Sequence, residues 1–75
     1  MNYFKNLREN IGINQTELSL LLNISHDAVN NAENNKILSD QTLLAYSRLF
    51  NIDIGILYKE NRKPMLELLP DNIEN

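Results

Sequence analysis

Cysteine is absent from this 75-residue sequence, which excludes disulfide staples and cysteine-bound zinc, and one histidine cannot assemble a metal site alone. Glycine and proline occur only twice each. With 43% hydrophobic residues, that scarcity marks one small, ordered, mainly helical domain and not a disordered tail. No apolar run approaches the roughly 18 residues needed to span a bilayer, and the N-terminus does not read as a signal peptide. A cytoplasmic protein is expected, with neither a membrane nor a small-molecule substrate as partner. A Gly-rich phosphate loop and a ligand cluster at metal spacing are also missing, so no cofactor, no catalytic residue and no enzyme are expected. Nothing places a nucleophile and an orienting acid around His26 for base catalysis.

Positive charge is scarce too. Seven Lys and Arg stand against ten Asp and Glu, a formal charge of -3. Without residues 60–75, which hold two basic and four acidic side chains, five basic residues still face six acidic ones. Nucleic-acid binders ordinarily gain affinity from a basic face that releases counterions, and the average field of this chain offers none.

What is present is helical punctuation. Tyr3 to Asn10 reads as a first helix, with Phe4, Leu7 and Ile11 as its inward stripe. Gly12 sits where a helix end calls for positive φ. Asn14 and Glu17 form a capping box for a second helix, Gln15 to Leu22, which stops at Asn23, a residue tolerant of the left-handed conformation. Ile24 anchors the turn. Ser25 caps a third helix, His26 to Glu33, with Val29 and Ala32 inward. After the polar loop Asn34-Asn35-Lys36, Ser39 or Asp40 caps a fourth helix ending near Phe50, with Leu43, Tyr46, Ser47 and Phe50 on its buried face. Asp53 caps a short fifth helix, Ile54 to Tyr58, in which Gly55 costs about 1 kcal/mol relative to Ala. Pro64 can open a last segment, Met65 to Leu69, stopped by Pro70 and followed by a loose end.

The stretch GINQTELSLLLNISHDAVNNAEN, followed by QTLLAYSRLFNIDIGILY, resembles the Cro/C1-type (XRE-like) helix-turn-helix family of phage and bacterial repressors. The features that carry the resemblance run from Gly12–Gln15 and Glu17-Leu18 through Ile24-Ser25 and Glu33 to Phe50-Asn51-Ile52. It implies an all-α fold: a compact five-helix, lambda-repressor-like helix-turn-helix domain over residues 1–59. Residues 60–75 would be a short C-terminal extension, usable as a docking or dimerisation helix. It also implies that the second helix straddles the DNA backbone while the third enters the major groove, dimers reading two half-sites. The DNA-binding residues would be Gln15, Thr16 and Ser25, then His26, Asp27, Asn30 and Asn31 on the third helix, and Asn34 and Lys36 beyond it. Gln15 can meet a phosphate or a base edge, and asparagine can read adenine.

Three departures set this chain apart from the family's pattern. Ala32 stands where an aromatic usually precedes the closing Glu. Arg or Lys is missing near His26 and Asn31. In the loop, Asn35 and Leu38 replace a frequent Gly and Pro. Ser25 is mainly a helix cap, and Glu33 reads as structural, bonding to backbone or to a loop residue. Thirteen asparagines in 75 residues also suit a global bias, such as an AT-rich coding sequence.

Apolar residues are in surplus. Leu20, Leu21, Leu38 and Ile56 fall at outward positions and, with Met65, Leu66 and Leu69, could form a partner-binding patch. Alternatively, the last segment folds back over its own domain. Two functions follow. One is a dimeric transcriptional regulator that reads double-stranded operator DNA. The other is a helix-turn-helix-fold modulator or antirepressor that binds another repressor protein, its acidic surface competing for that repressor's basic DNA face.

Overall fold

The computed structural model describes residues 2–66. Five helices follow one another: α1 Tyr3–Asn10, α2 Gln15–Leu22, α3 His26–Glu33, α4 Asp40–Phe50 and α5 Ile54–Leu66. None of the described helices is long and apolar enough to cross a membrane. Their ends are fixed by side chains. Asn2, Asn14, Ser25 and Ser39 each accept a backbone N–H in the first turn of α1 to α4 respectively, and the Asn14–Glu17 box closes in both directions. Each such cap stabilises its helix by about 1 kcal/mol. Asp40 is thus not the cap of α4. Its carboxylate instead accepts the Tyr58 hydroxyl at 2.7 Å, a bond that raises the phenol's pKa above its ordinary value.

Among the described residues four backbone positions have positive φ: Gly12 at 73°, and Asn23, Asn35 and Asn51 at 56°, 62° and 54°. Asparagine therefore supplies the left-handed turn at three helix exits, including the loop position at which Asn35 stands in for glycine. At the start of α5, Asp53 Oδ1 accepts the Gly55 N–H at 2.7 Å, and a Cβ on residue 55 would lie only 3.0 Å from that oxygen. Gly55 leaves room for the cap.

The core is built from Phe4, Leu18, Leu22, Val29, Ala32, Leu43, Tyr46 and Leu57. Burying each larger side chain contributes about 1.5–3 kcal/mol. Phe4 meets Tyr46 edge-on with ring centroids 5.0 Å apart, and Tyr46 stacks on Phe50 at 6.0 Å. The Tyr46 side chain is fully buried, its hydroxyl finds no partner among the described residues, and burial pushes its pKa up.

Several details depart from the sequence reading. Ile11 is not inward: α1 stops at Asn10, and Ile11 becomes its C-cap, a residue 49% exposed. Ser47 and Phe50 are half-buried, and the Ser47 hydroxyl donates to the carbonyl of Ile52. Leu38 packs partly against the core and does not stand out as an exposed anchor. The fifth helix does not end at Tyr58, and Pro64 opens no separate segment, because α5 runs unbroken to Leu66. The reason lies one turn past Tyr58. Asn61 is buried, donates to the Lys36 carbonyl at 2.9 Å and accepts the Leu38 N–H at 3.0 Å, fastening α5 to the loop between α3 and α4. Leu69, the expected stop at Pro70 and the end beyond it lie outside the described residues.

Glu33 bonds neither backbone nor loop. Its carboxylate takes two bonds from Arg8, Nε to Oε2 at 2.7 Å and Nη2 to Oε1 at 2.9 Å, while Arg8 Nη1 donates to the Ile13 carbonyl at 2.8 Å. Only 13% of the Arg8 side chain and 3% of the Glu33 side chain remain exposed. Burial alone would raise the Glu33 pKa, but hydrogen bonds from Arg8 and Gln15 outweigh it and hold the carboxyl below its ordinary 4.5. The hydrogen bond to Glu33 likewise raises the Arg8 pKa.

Arg8→Ala strands a buried carboxylate and should destabilise the domain by about 3–5 kcal/mol in urea titration, whereas the apolar pair Arg8→Met with Glu33→Leu should cost clearly less than that. The Glu33 carboxyl titrates lower folded than unfolded. Its contribution is therefore complete above pH 4.5 and is lost as pH falls through the depressed folded value, a loss that Glu33→Gln should remove from an acid-unfolding curve. Asn61→Ala leaves the part-buried Lys36 carbonyl and Leu38 N–H without their partner and should cost about 1 kcal/mol or more, while Tyr46→Phe deletes an orphaned hydroxyl and should melt no lower than the parent.

Candidate nucleic-acid interface

Eight residues fix α3 as a short rod, and its phase decides which side chains face outward. Val29 and Ala32 are buried, so His26, Asp27, Asn30 and Asn31 are left exposed on the opposite side, with Asn34 just past the end. Small Ala32 allows close approach, and its carbonyl accepts from Asn2 Nδ2 at 2.9 Å. The same amide of Asn2 reaches Asn35 Oδ1 at 2.7 Å, so the start of the chain clasps the end of α3.

The outward asparagines are partly committed to one another. Asn34 Nδ2 donates to the Asn30 carbonyl at 2.7 Å and to Asn30 Oδ1 at 3.1 Å. This leaves the Asn30 amide group and the Asn34 carbonyl oxygen directed by a fixed pair, a more rigid arrangement than two free side chains. Ser25 accepts the Ala28 N–H at 3.1 Å and acts as the α3 cap. Lys36 is exposed, and its backbone is held from both sides, by its own N–H on the Asn31 carbonyl and by Asn61 on its carbonyl.

Gln15, at the first position of α2, is half-buried and donates from Nε2 to Glu33 Oε1 at 3.1 Å. The carboxylate that closes α3 thus also orients the amide that opens α2, leaving the Gln15 carbonyl oxygen and its second N–H unused by that bond. Thr16 next to it is exposed. Gln15, Thr16, the α3 face and Lys36 therefore lie on α2, α3 and the loop that follows, joined through Glu33 and Asn61. Sequence reasoning missed three supports of this arrangement: Arg8, Asn2 and Asn61. Only Arg8 left a trace, as a basic residue one turn after Phe4 on the first helix.

Of the expected partner-binding residues, Leu20 and Leu21 are 77% and 58% exposed and Ile56 is 50% exposed. Leu38 is half-buried, Met65 and Leu66 fall in the last turn of α5, and Leu69 lies outside the described residues. Among the described residues no cluster of His, Cys, Asp and Glu could hold a metal ion.

No match is found among curated proteins or among solved structures. A family model described as helix-turn-helix matches residues 4–57, a span that begins inside α1 and ends inside α5. With the five-helix all-α fold, that match makes the chain a member of the helix-turn-helix family, a DNA-binding and non-catalytic module of transcriptional regulators.

Proposed function

We propose that the chain reads a specific operator in double-stranded DNA, with α3 in the major groove and the first turn of α2 over the adjoining backbone. The observation that supports this reading is the Gln15–Glu33 bond, which holds the Gln15 amide at a fixed offset from the α3 face. Asn30 and Asn31 would read adenine edges, each bidentate pair discriminating by about 1–3 kcal/mol. Asp27 would accept from a cytosine amine, and His26 and Asn34 would hydrogen-bond at either end of the footprint. Thr16 and Ser25 would add hydroxyl contacts to phosphate. A homodimer would place two such helices one DNA turn apart, on half-sites about 34–36 Å between centres. Regulation then needs no chemistry, because an occupied operator excludes or recruits polymerase.

A second reading, binding to another repressor protein in place of DNA, is favoured by the exposure of Leu20 and Leu21 on α2. One titration separates the two. Purified protein is added to its own upstream DNA at two salt concentrations, with and without any basic repressor that a neighbouring gene is found to encode. Under the DNA-reading proposal the protein binds alone and selectively, and Gln15→Ala weakens binding roughly tenfold or more while Leu20→Glu leaves it unchanged. No binding alone, together with a shift in the repressor's DNA affinity that Leu20→Glu abolishes, would overturn it in favour of the second reading.

A further inference from the structure

The charge of the chain is unevenly laid out. Residues 2–66 hold seven basic and seven acidic side chains, and the whole acidic excess, Glu67, Asp71 and Glu74, lies beyond them. Within 2–66 there is a second division. The loop and helix start at 36–40 together with α5 from Tyr58 to Lys63 carry four cations, Lys36, Lys59, Arg62 and Lys63, against Asp40 and Glu60. The rest of the fold carries three cations against five anions, and one of those cations, Arg8, is consumed by Glu33. The outward face of α3 contributes only Asp27 as a formal charge. Cations able to neutralise phosphate are therefore concentrated on α5 and on the loop that leaves the recognition helix.

This concentration is held in place. Leu57 and Asn61 form the buried line of α5, and Lys59, Arg62 and Lys63 are all exposed off it, at helical spacings that make them neighbours. Asn61 binds the loop at Lys36 and Leu38 from within the same turn, so the segment that carries the basic face is bonded directly to the loop after α3. Lys63 makes an ion pair with Glu60 at 2.9 Å but is 60% exposed, and such surface pairs are weak enough to exchange for a phosphate. From residue 59 to 63 the helix advances about 6 Å, the distance over which one DNA strand presents about two phosphates.

We propose that Lys36, Lys59, Arg62 and Lys63 form a phosphate clamp that grips the duplex backbone beside the α3 footprint, supplying the charge that the recognition helix lacks. The clamp rests on the reading that α3 meets DNA. It positions the protein without reading sequence, since backbone contacts carry no base information.

The test uses the full chain and a fluorescent duplex from its own upstream region, with a scrambled duplex beside it, titrated by anisotropy over a series of potassium chloride concentrations. Circular dichroism checks each variant's fold. The variant Lys59→Gln/Arg62→Gln/Lys63→Gln should flatten the slope of log affinity against log salt by about 2 to 3, and Lys36→Gln alone by about 1, on both duplexes. Asn30→Ala should instead lose preference for the upstream duplex with the slope unchanged. Unaltered slopes in both basic variants, with the parent still binding selectively, would overturn the clamp and leave operator reading intact. If the parent binds neither duplex at low salt, operator reading and clamp both fall.

Discussion

One buried ion pair ties α1, α2 and α3 together. Arg8 on α1 and Glu33 at the end of α3 exchange two hydrogen bonds while almost wholly out of water, and each partner has a further commitment, Arg8 to the Ile13 carbonyl and Glu33 to Gln15. An ion pair in that setting offers little net stability over a pair of well-packed apolar residues, because desolvation offsets most of the Coulomb gain. What it fixes is relative position. The axial rotation of α3, the segment of chain entering α2 and the amide of Gln15 are all referred to the same junction, so the surface proposed to meet DNA is set by a polar contact lying beneath it.

Asparagine accounts for much of the rest. Asn2 and Asn14 cap helices, Asn23, Asn35 and Asn51 take left-handed turns, Asn34 closes α3, and Asn61 secures α5. An abundance that suits a compositional bias is thus spent largely on backbone geometry. The short amide is suited to this, being able to accept, donate and tolerate positive φ.

That distribution also explains what could be read in advance. Helix limits for α1 to α4 were legible because caps and turns act over three or four residues, and Asn14–Glu17 or Ser25 followed by an apolar spacing is a local signal. Among the interface residues, the exposure of Asp27, Asn30 and Asn31 followed from helical phase alone. The supports were not legible, because Arg8–Glu33, Asn2–Ala32 and Asn61–Lys36 join positions 25 to 30 residues apart, and nothing local distinguishes Asn61 from a solvated asparagine. Ile11 misled because α1 stops one residue before it, and Pro64 because the anchoring of α5 through Asn61 outweighs the local rule for proline.

The loop after α3 is gripped from opposite ends of the chain, by Asn2 at residues 32 and 35 and by Asn61 at residues 36 and 38. A polypeptide made from its N-terminus can form the first of these contacts while α4 and α5 are still being synthesised. The second must await residue 61. The loop that leaves α3 is therefore fully fastened only once residue 61 has been made, and a chain released before that residue lacks the fastening between α5 and the loop.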